Sequence, residues 1–303
     1  MGKNKTLIGI VCAVACEFLY GISYFFTKTA TDEVSALTLL GWRFLFAFAV
    51  MSLLVVFGVL KVNYKGKNIK KLLRISILFP VLYFVAETVG INLTTASESG
   101  TLLACIPVAS LVASSIILKE KPLKVQILGI SVTLAGVLVT VLGVGIEASL
   151  SIPGYLALVL GVILYSLYAV YVEDATEFNG AEITYSMLAI GCLVYVIAAL
   201  AEGISGGTMD QLIAAPFANP GLMKAIIYQG LGCSIGAFFM SNVAIAYIGV
   251  NRVSCFIGLS TVVSIVSGVL ILHESFTTVQ IIGAVVIICG VYIANLGQGS
   301  KEE

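Results

Sequence analysis

Apolar residues in this chain do not alternate with polar ones. They run in blocks, and polar residues collect in the short gaps between them. Ten such blocks can be read, at 7–28, 35–60, 72–93, 98–118, 124–144, 153–172, 181–202, 223–247, 252–272 and 278–296. A helix needs roughly 20 apolar residues to cross the hydrocarbon core of a bilayer, so each block predicts one membrane-spanning helix. Most gaps are a handful of residues long, which makes consecutive helices antiparallel neighbours. The predicted fold is an all-α integral membrane protein.

A repeat is written over these blocks. Shifted by 154 positions without a gap, 97–141 falls on 251–295, and thirteen positions are then identical. Several are apolar and would coincide in any greasy pair. The punctuation is more telling: Leu118-x-Glu120, Gln126-x-x-Gly129 and Gly136 recur as Leu272-x-Glu274, Gln280-x-x-Gly283 and Gly290. The first two blocks repeat more faintly at an offset near 145, with Gly9 on Gly154 and Tyr20 on Tyr165, and the stretch from Gly203 to Pro220 absorbs the difference. The repeat unit is five spans, an odd number, so the second copy must run upside down relative to the first. The expectation is two inverted five-helix halves, residues 1–146 and 147–303. Inverted repeats place a binding site near midplane, between halves that rock against each other.

Composition agrees with a life in lipid: 59% hydrophobic and 11% charged, with a mean hydropathy of +1.09. Soluble domains carry about 25% charged residues. The net charge is zero, which leaves no basic surface for nucleic acid. Seven cysteines lie in apolar runs without a Cys-x-x-Cys pair, and His273 is the single histidine. Neither a disulfide framework, a metal site nor a cofactor is expected. Lysine and arginine set the orientation. With the N-terminus in the cytoplasm, thirteen of the sixteen basic residues fall on that side, and both termini are cytoplasmic. Glu173, Asp174 and Glu177, in the cytoplasmic gap after the sixth span, run against the trend.

The residues that fix the family are Arg43 in the second span, Ala96-Ser97-Glu98 leading to Pro107, then Leu118-x-Glu120, Gln126-x-x-Gly129 and Gly136. In this the chain resembles, over nearly its whole length, the EamA-type transporters of the drug/metabolite transporter superfamily. The second copy departs from the pattern, with Thr261 in place of Pro107 and Ala189 near the position of Arg43. The resemblance implies ten spans in two halves, and a central cavity lined by spans one, three, four, six, eight and nine.

Ionisable groups inside a span cost about 2.5–3.5 kcal/mol on insertion scales, so each asks for a reason. Glu17 stands in the middle of span one, and helical spacing puts Tyr20, Gly21, Tyr24 and Lys28 on its face. A carboxyl there suits a proton, a cation or the amine of a substrate; the plainer alternative is a protonated acid bonded in a helix contact. Its placement, in Ala15-x-Glu17 with Lys28 downstream, also resembles the glutamate of span one in small multidrug resistance transporters. Glu87 shares a face with Tyr83, Phe84 and Ile91, which suits a cavity wall and makes it the second candidate for coupling or substrate binding; its depth also matches that of Arg43 within a helical turn, so an ion pair between them is the equal alternative. Tyr165 and Tyr168 on span six face span one through the repeat. Aromatic rings around a carboxylate suit an organic cation or the flat part of an amino acid. Ser254 and Gly258, on span nine, join the candidate lining through the implied cavity. Pro80 and Pro107 are expected to interrupt spans three and four.

The expected function is secondary active transport of a small polar organic molecule across the bilayer, amino-acid or metabolite efflux in exchange for protons, by alternating access. The rival reading is import of an organic cation or amine. An intramembrane enzyme would need converging His, Cys, Ser or Asp groups, and the sequence offers no such set.

Overall fold

The helices that begin after Ser35, Ser151 and Asn179 start where a polar side chain accepts from a free N–H group of the first turn. The computed structural model describes residues 3–31, 33–93, 102–103, 105–119, 121–142, 151–272 and 278–296, and all of its long elements are helices. Helix α1 is Lys3–Thr31 and α2 is Ala36–Val56, capped by Ser35 accepting from the Thr38 N–H at 3.1 Å. Then come α3 (Ile69–Ser76), α4 (Tyr83–Leu93), α5 (Ile106–Ile117) and α6 (Lys124–Leu142). The second half holds α7 (Ile152–Asp174), α8 (Gly180–Gly206), α9 (Met209–Ala218), α10 (Pro220–Ile227), α11 (Phe238–Ile248), α12 (Val250–Ser254), α13 (Gly258–Leu272) and α14 (Thr278–Asn295). A reciprocal cap opens α8, where Asn179 and Glu182 bond each other's backbone, and Gly207 closes it at a left-handed φ of 64°.

Among the described residues, six helical stretches are long and apolar enough to cross a membrane: Asn4–Ser23, Ala36–Val56, Ile69–Ile91, Ile152–Asp174, Gly180–Gly206 and Pro220–Ile248. Apolar helices also occupy the other four expected positions, at Ile106–Ile117, Lys124–Val139, Val250–Val263 and Ile281–Ala294. The sequence motifs at Ala96-Ser97-Glu98, Glu120, His273 and Glu274, and the junction at 146–147, lie outside the described residues.

A tight turn recurs in the two copies. Before α5 the Cys105 N–H bonds the Leu102 carbonyl at 3.0 Å; 154 residues later the Leu259 N–H bonds the Phe256 carbonyl at 2.8 Å. This tight turn therefore stands at the same place in both copies. Pro107 follows it directly, where its sequence position placed an interruption of span four. It sits in the first turn of α5, where a missing N–H has no partner to lose. Pro80 behaves as expected. Phe79 before it is extended, at φ −142° and ψ 120°, and breaks the third span between α3 and α4. At the same offset the break falls within the widened turns Tyr228–Ala237 that join α10 to α11, where the Phe238 N–H reaches back to the Cys233 carbonyl.

Packing pairs the two halves symmetrically. Helix α1 packs on α11 and α13, and its counterpart α7 packs on α4 and α5. Helices α2 and α8 pair, as do α6 and α14. The repeated glycines belong to that last contact. A Cβ on Gly136 would stand 2.6 Å from the Ile287 nitrogen and 2.9 Å from the Gly283 carbonyl, and Gly129 lies directly against the backbone of Ala294. Without a hydrophobic drive between helices in lipid, such close backbone approach is what holds them together.

Candidate functional site

Gly21 brings α1 onto α13. A Cβ there would come within 2.8 Å of the Ser260 carbonyl, so only glycine lets the two helices close. One turn earlier stands Glu17, 3% exposed, with Ser260 beside its carboxyl. The Ser260 hydroxyl donates to the Ile257 carbonyl at 2.7 Å and stands within hydrogen-bonding reach of the carboxyl, which also accepts from the Cys16 thiol at 3.8 Å. Tyr20 and Tyr165 lie within electrostatic reach of the acid. Span one and its repeat counterpart thus meet over Glu17.

The break at Phe79 builds the wall opposite. Its extended backbone swings the ring into the centre of an aromatic cluster, stacked on Tyr168 at 4.7 Å and edge-on to Tyr165 at 5.6 Å. Tyr83 and Phe238 close the ring from α4 and α11, at 5.0 and 5.1 Å from Phe79. Tyr168 is fixed by a hydrogen bond from its hydroxyl to Asn242 Oδ1 at 2.8 Å, and Asn242 donates in turn to Thr184 at 3.0 Å. Tyr165 and Tyr83 touch, with centroids 5.7 Å apart. The sequence-predicted Glu17, Tyr20, Tyr83, Tyr165 and Tyr168 therefore belong to one connected cluster. Phe79, Phe238 and Asn242 join it unannounced.

Glu87 and Arg43 do not form the expected ion pair. Tyr83 donates to Glu87 Oε1 at 2.8 Å. Arg43, 6% exposed, donates from Nε to Ser234 at 2.7 Å and from Nη1 to Gln229 at 3.2 Å. Its guanidinium also lies over Phe84, 5.1 Å from the ring centroid. The two charges feel each other without touching. Neutral dipoles and rings take the guanidinium instead, with Gln229 and Ser234 both supplied by the widened turns of span eight.

Not every candidate faces this cluster by its contacts. Ser254 gives its hydroxyl to the Val250 carbonyl of its own helix at 2.8 Å. Gly258 packs on α6 and α14, since a Cβ there would meet Thr133 at 2.7 Å and Ile287 at 2.8 Å. The side chain of Tyr24 lies outside the described part of the structure.

Among the described residues, the hydroxyl of Thr133 is the buried side-chain oxygen or nitrogen that is both sealed and without a hydrogen-bond partner.

A model of the EamA-like transporter family matches the chain twice, at residues 7–142 and 152–296. An uncharacterized transporter of Bacillus subtilis (strain 168), YcxC, is 30% identical over 100% of this chain and 97% of its own length. A second from the same strain, YyaM, is 27% identical over 91% of this chain and 89% of its own. A solved crystal structure shares the fold at a TM-score of 0.75, covering 100% of both chains at 16% identity.

Proposed function

The chain belongs to the EamA-like transporter family, and from that premise we propose that it exports small polar organic metabolites, amino acids foremost, across the cell membrane in exchange for protons. The multi-pass helical architecture and relatives named transporters support transport as the function. The observation that carries the finer reading is Glu17: a buried carboxyl at the middle of a span, near tyrosines of both halves, with a thiol and a serine hydroxyl beside it and no opposite charge in contact. In this reading Glu17 holds either a proton or the ammonium group of the substrate, never both. Exchange of one for the other couples the two fluxes. Tyr20, Tyr165 and Tyr168 offer ring faces to the cation and to the substrate's apolar part.

Alternating access follows in this reading from two inverted five-helix halves, 1–146 and 147–303, with both termini in the cytoplasm. The matched packing of α1 and α7, and the matched turns at Cys105 and Leu259, support that arrangement. The breaks at Phe79 and in Tyr228–Ala237 supply the joints. Broken helices of this sort are tolerated where they are buried in protein or line a cavity.

The test is transport in proteoliposomes. Purified protein is reconstituted with labelled amino acids and amines trapped inside, and an inward proton gradient is imposed. Gradient-accelerated release of an amino acid supports the proposal. Uptake of an amine, unaffected by the gradient, would favour the organic-cation importer that the aromatic ring around Glu17 also fits. Release of nothing from the panel would contradict both.

A further inference from the structure

Arg43 carries a charge that the protein does not neutralise. Its Nε and Nη1 bond the uncharged Ser234 and Gln229, and its face is covered by Phe84 and Phe44 at 5.1 and 5.5 Å. Gln229 is itself held by donating to Thr27 at 2.9 Å, so the guanidinium plane is fixed from behind. Nη2 makes no hydrogen bond to another described residue, and it is not among the fully sealed, partnerless atoms. With the residue as a whole only 6% exposed, this edge is the part of a largely buried guanidinium left without a partner. Glu87 contributes electrostatically, but Tyr83 occupies one of its oxygens and no contact joins it to the arginine.

A guanidinium presents a planar fork of donors that matches a carboxylate in two parallel bonds. Buried charges are paired, and an arginine whose donor edge is left open inside a membrane protein is poised for an anion brought from outside. Arg43 adjoins the Glu17 cluster through Tyr20, which lies within electrostatic reach of both. We propose that the open edge of Arg43 is an anion subsite that takes the carboxylate of the substrate while Glu17 takes its ammonium group. The inference rests on the transport reading above and narrows it: the substrate is a zwitterion, and simple amines fit half of the site. Gln229, Ser234 and Phe84 are the positioning residues that keep the edge free.

The discriminating experiment compares leucine, phenylalanine and lysine with their decarboxylated amines (3-methylbutylamine, 2-phenylethylamine and cadaverine) by thermal stabilisation of the purified full chain. The expected result is that at least one amino acid binds the wild type at least about 10-fold more tightly than its amine, the scale of one charged hydrogen-bonded contact. In Arg43→Gln that preference disappears while amine binding stays, and Arg43→Lys restores part of it. Amines that bind the wild type as tightly as the amino acids would overturn the subsite and leave the transporter standing. The same holds if Arg43→Gln keeps the full preference. If Arg43→Gln does not fold, Phe84→Leu and Gln229→Glu probe the same edge; Gln229→Glu supplies a competing carboxylate and must abolish the preference, and its retention would overturn the proposal. No shift with any of the six compounds would sink the amino-acid transport reading and the subsite together.

Discussion

The charges at the rim of this molecule and the charges in its middle are treated in opposite ways. At the rim, Lys67 meets Glu182 at 2.6 Å and Lys71 meets Asp174 at 3.0 Å. Glu182 also accepts from the Asn63 and Asn179 N–H groups, each at 3.0 Å, and Tyr64 donates to its carbonyl at 2.9 Å. Burial, with Glu182 close by, pushes the Tyr64 phenol above its ordinary range, so it stays a donor at any physiological pH. Glu177 and Glu173 accept from the Asn68 and Val250 N–H groups at 3.1 and 2.6 Å. In the middle, Glu17, Glu87 and Arg43 have a thiol, a phenol, a hydroxyl and an amide as bonding partners, and no opposite charge in contact. The costlier location has the poorer neutralisation. Charges used for architecture are paired where they stand; in the proposed reading, those inside the bundle are kept for the substrate and the proton.

That contrast can be broken by mutation, and the largest expected effect is on transport. Glu17→Gln is isosteric and removes the titratable oxygen, so binding and proton-driven release of the substrate should fall by about 100-fold, as loss of a charge-assisted contact implies. Its melting temperature in detergent should change little, since the carboxyl has only a thiol and a serine hydroxyl beside it, and a glutamine can accept from both. Glu182→Ala should do the reverse. It strands Lys67, two backbone N–H groups and a helix cap, and should destabilise the fold by about 3 kcal/mol, read by chemical or thermal unfolding. Tyr168→Phe leaves the buried Asn242 carbonyl without its donor and should cost about 1–2 kcal/mol while sparing the ring stack on Phe79. Lys71→Ala removes a half-exposed pair and should change stability by less than about 1 kcal/mol, an effect that shrinks further with salt.

How much of this was legible beforehand depends on how far apart in sequence the partners lie. Glu17, Tyr20, Tyr165 and Tyr168 could be read because a helical period and a repeat relate them, and both are local or self-similar signals. The acids Glu173, Asp174 and Glu177 looked misplaced on a basic face until their partners, Val250, Lys71 and Asn68, came into view. The Arg43–Glu87 pair was inferred from equal depth along two helices, but depth says nothing about rotation or about competitors. Arg43 is claimed by Ser234, 191 residues away, and Gln229, 186 residues away. No pattern in the chain marks those two as its partners. Phe79 is, in the sequence, one apolar residue beside a proline. Its role comes from an extended backbone that swings the ring inward, which hydropathy does not encode.

The central claim is that Glu17 exchanges a proton for the substrate's ammonium group. The most direct test measures proton release on substrate binding, in weakly buffered detergent solution with a pH indicator, for wild type and Glu17→Gln. The account predicts about one proton released per amino acid bound by the wild type, and none from the variant. Substrate binding to the wild type without proton release, or equal release from Glu17→Gln, would contradict it.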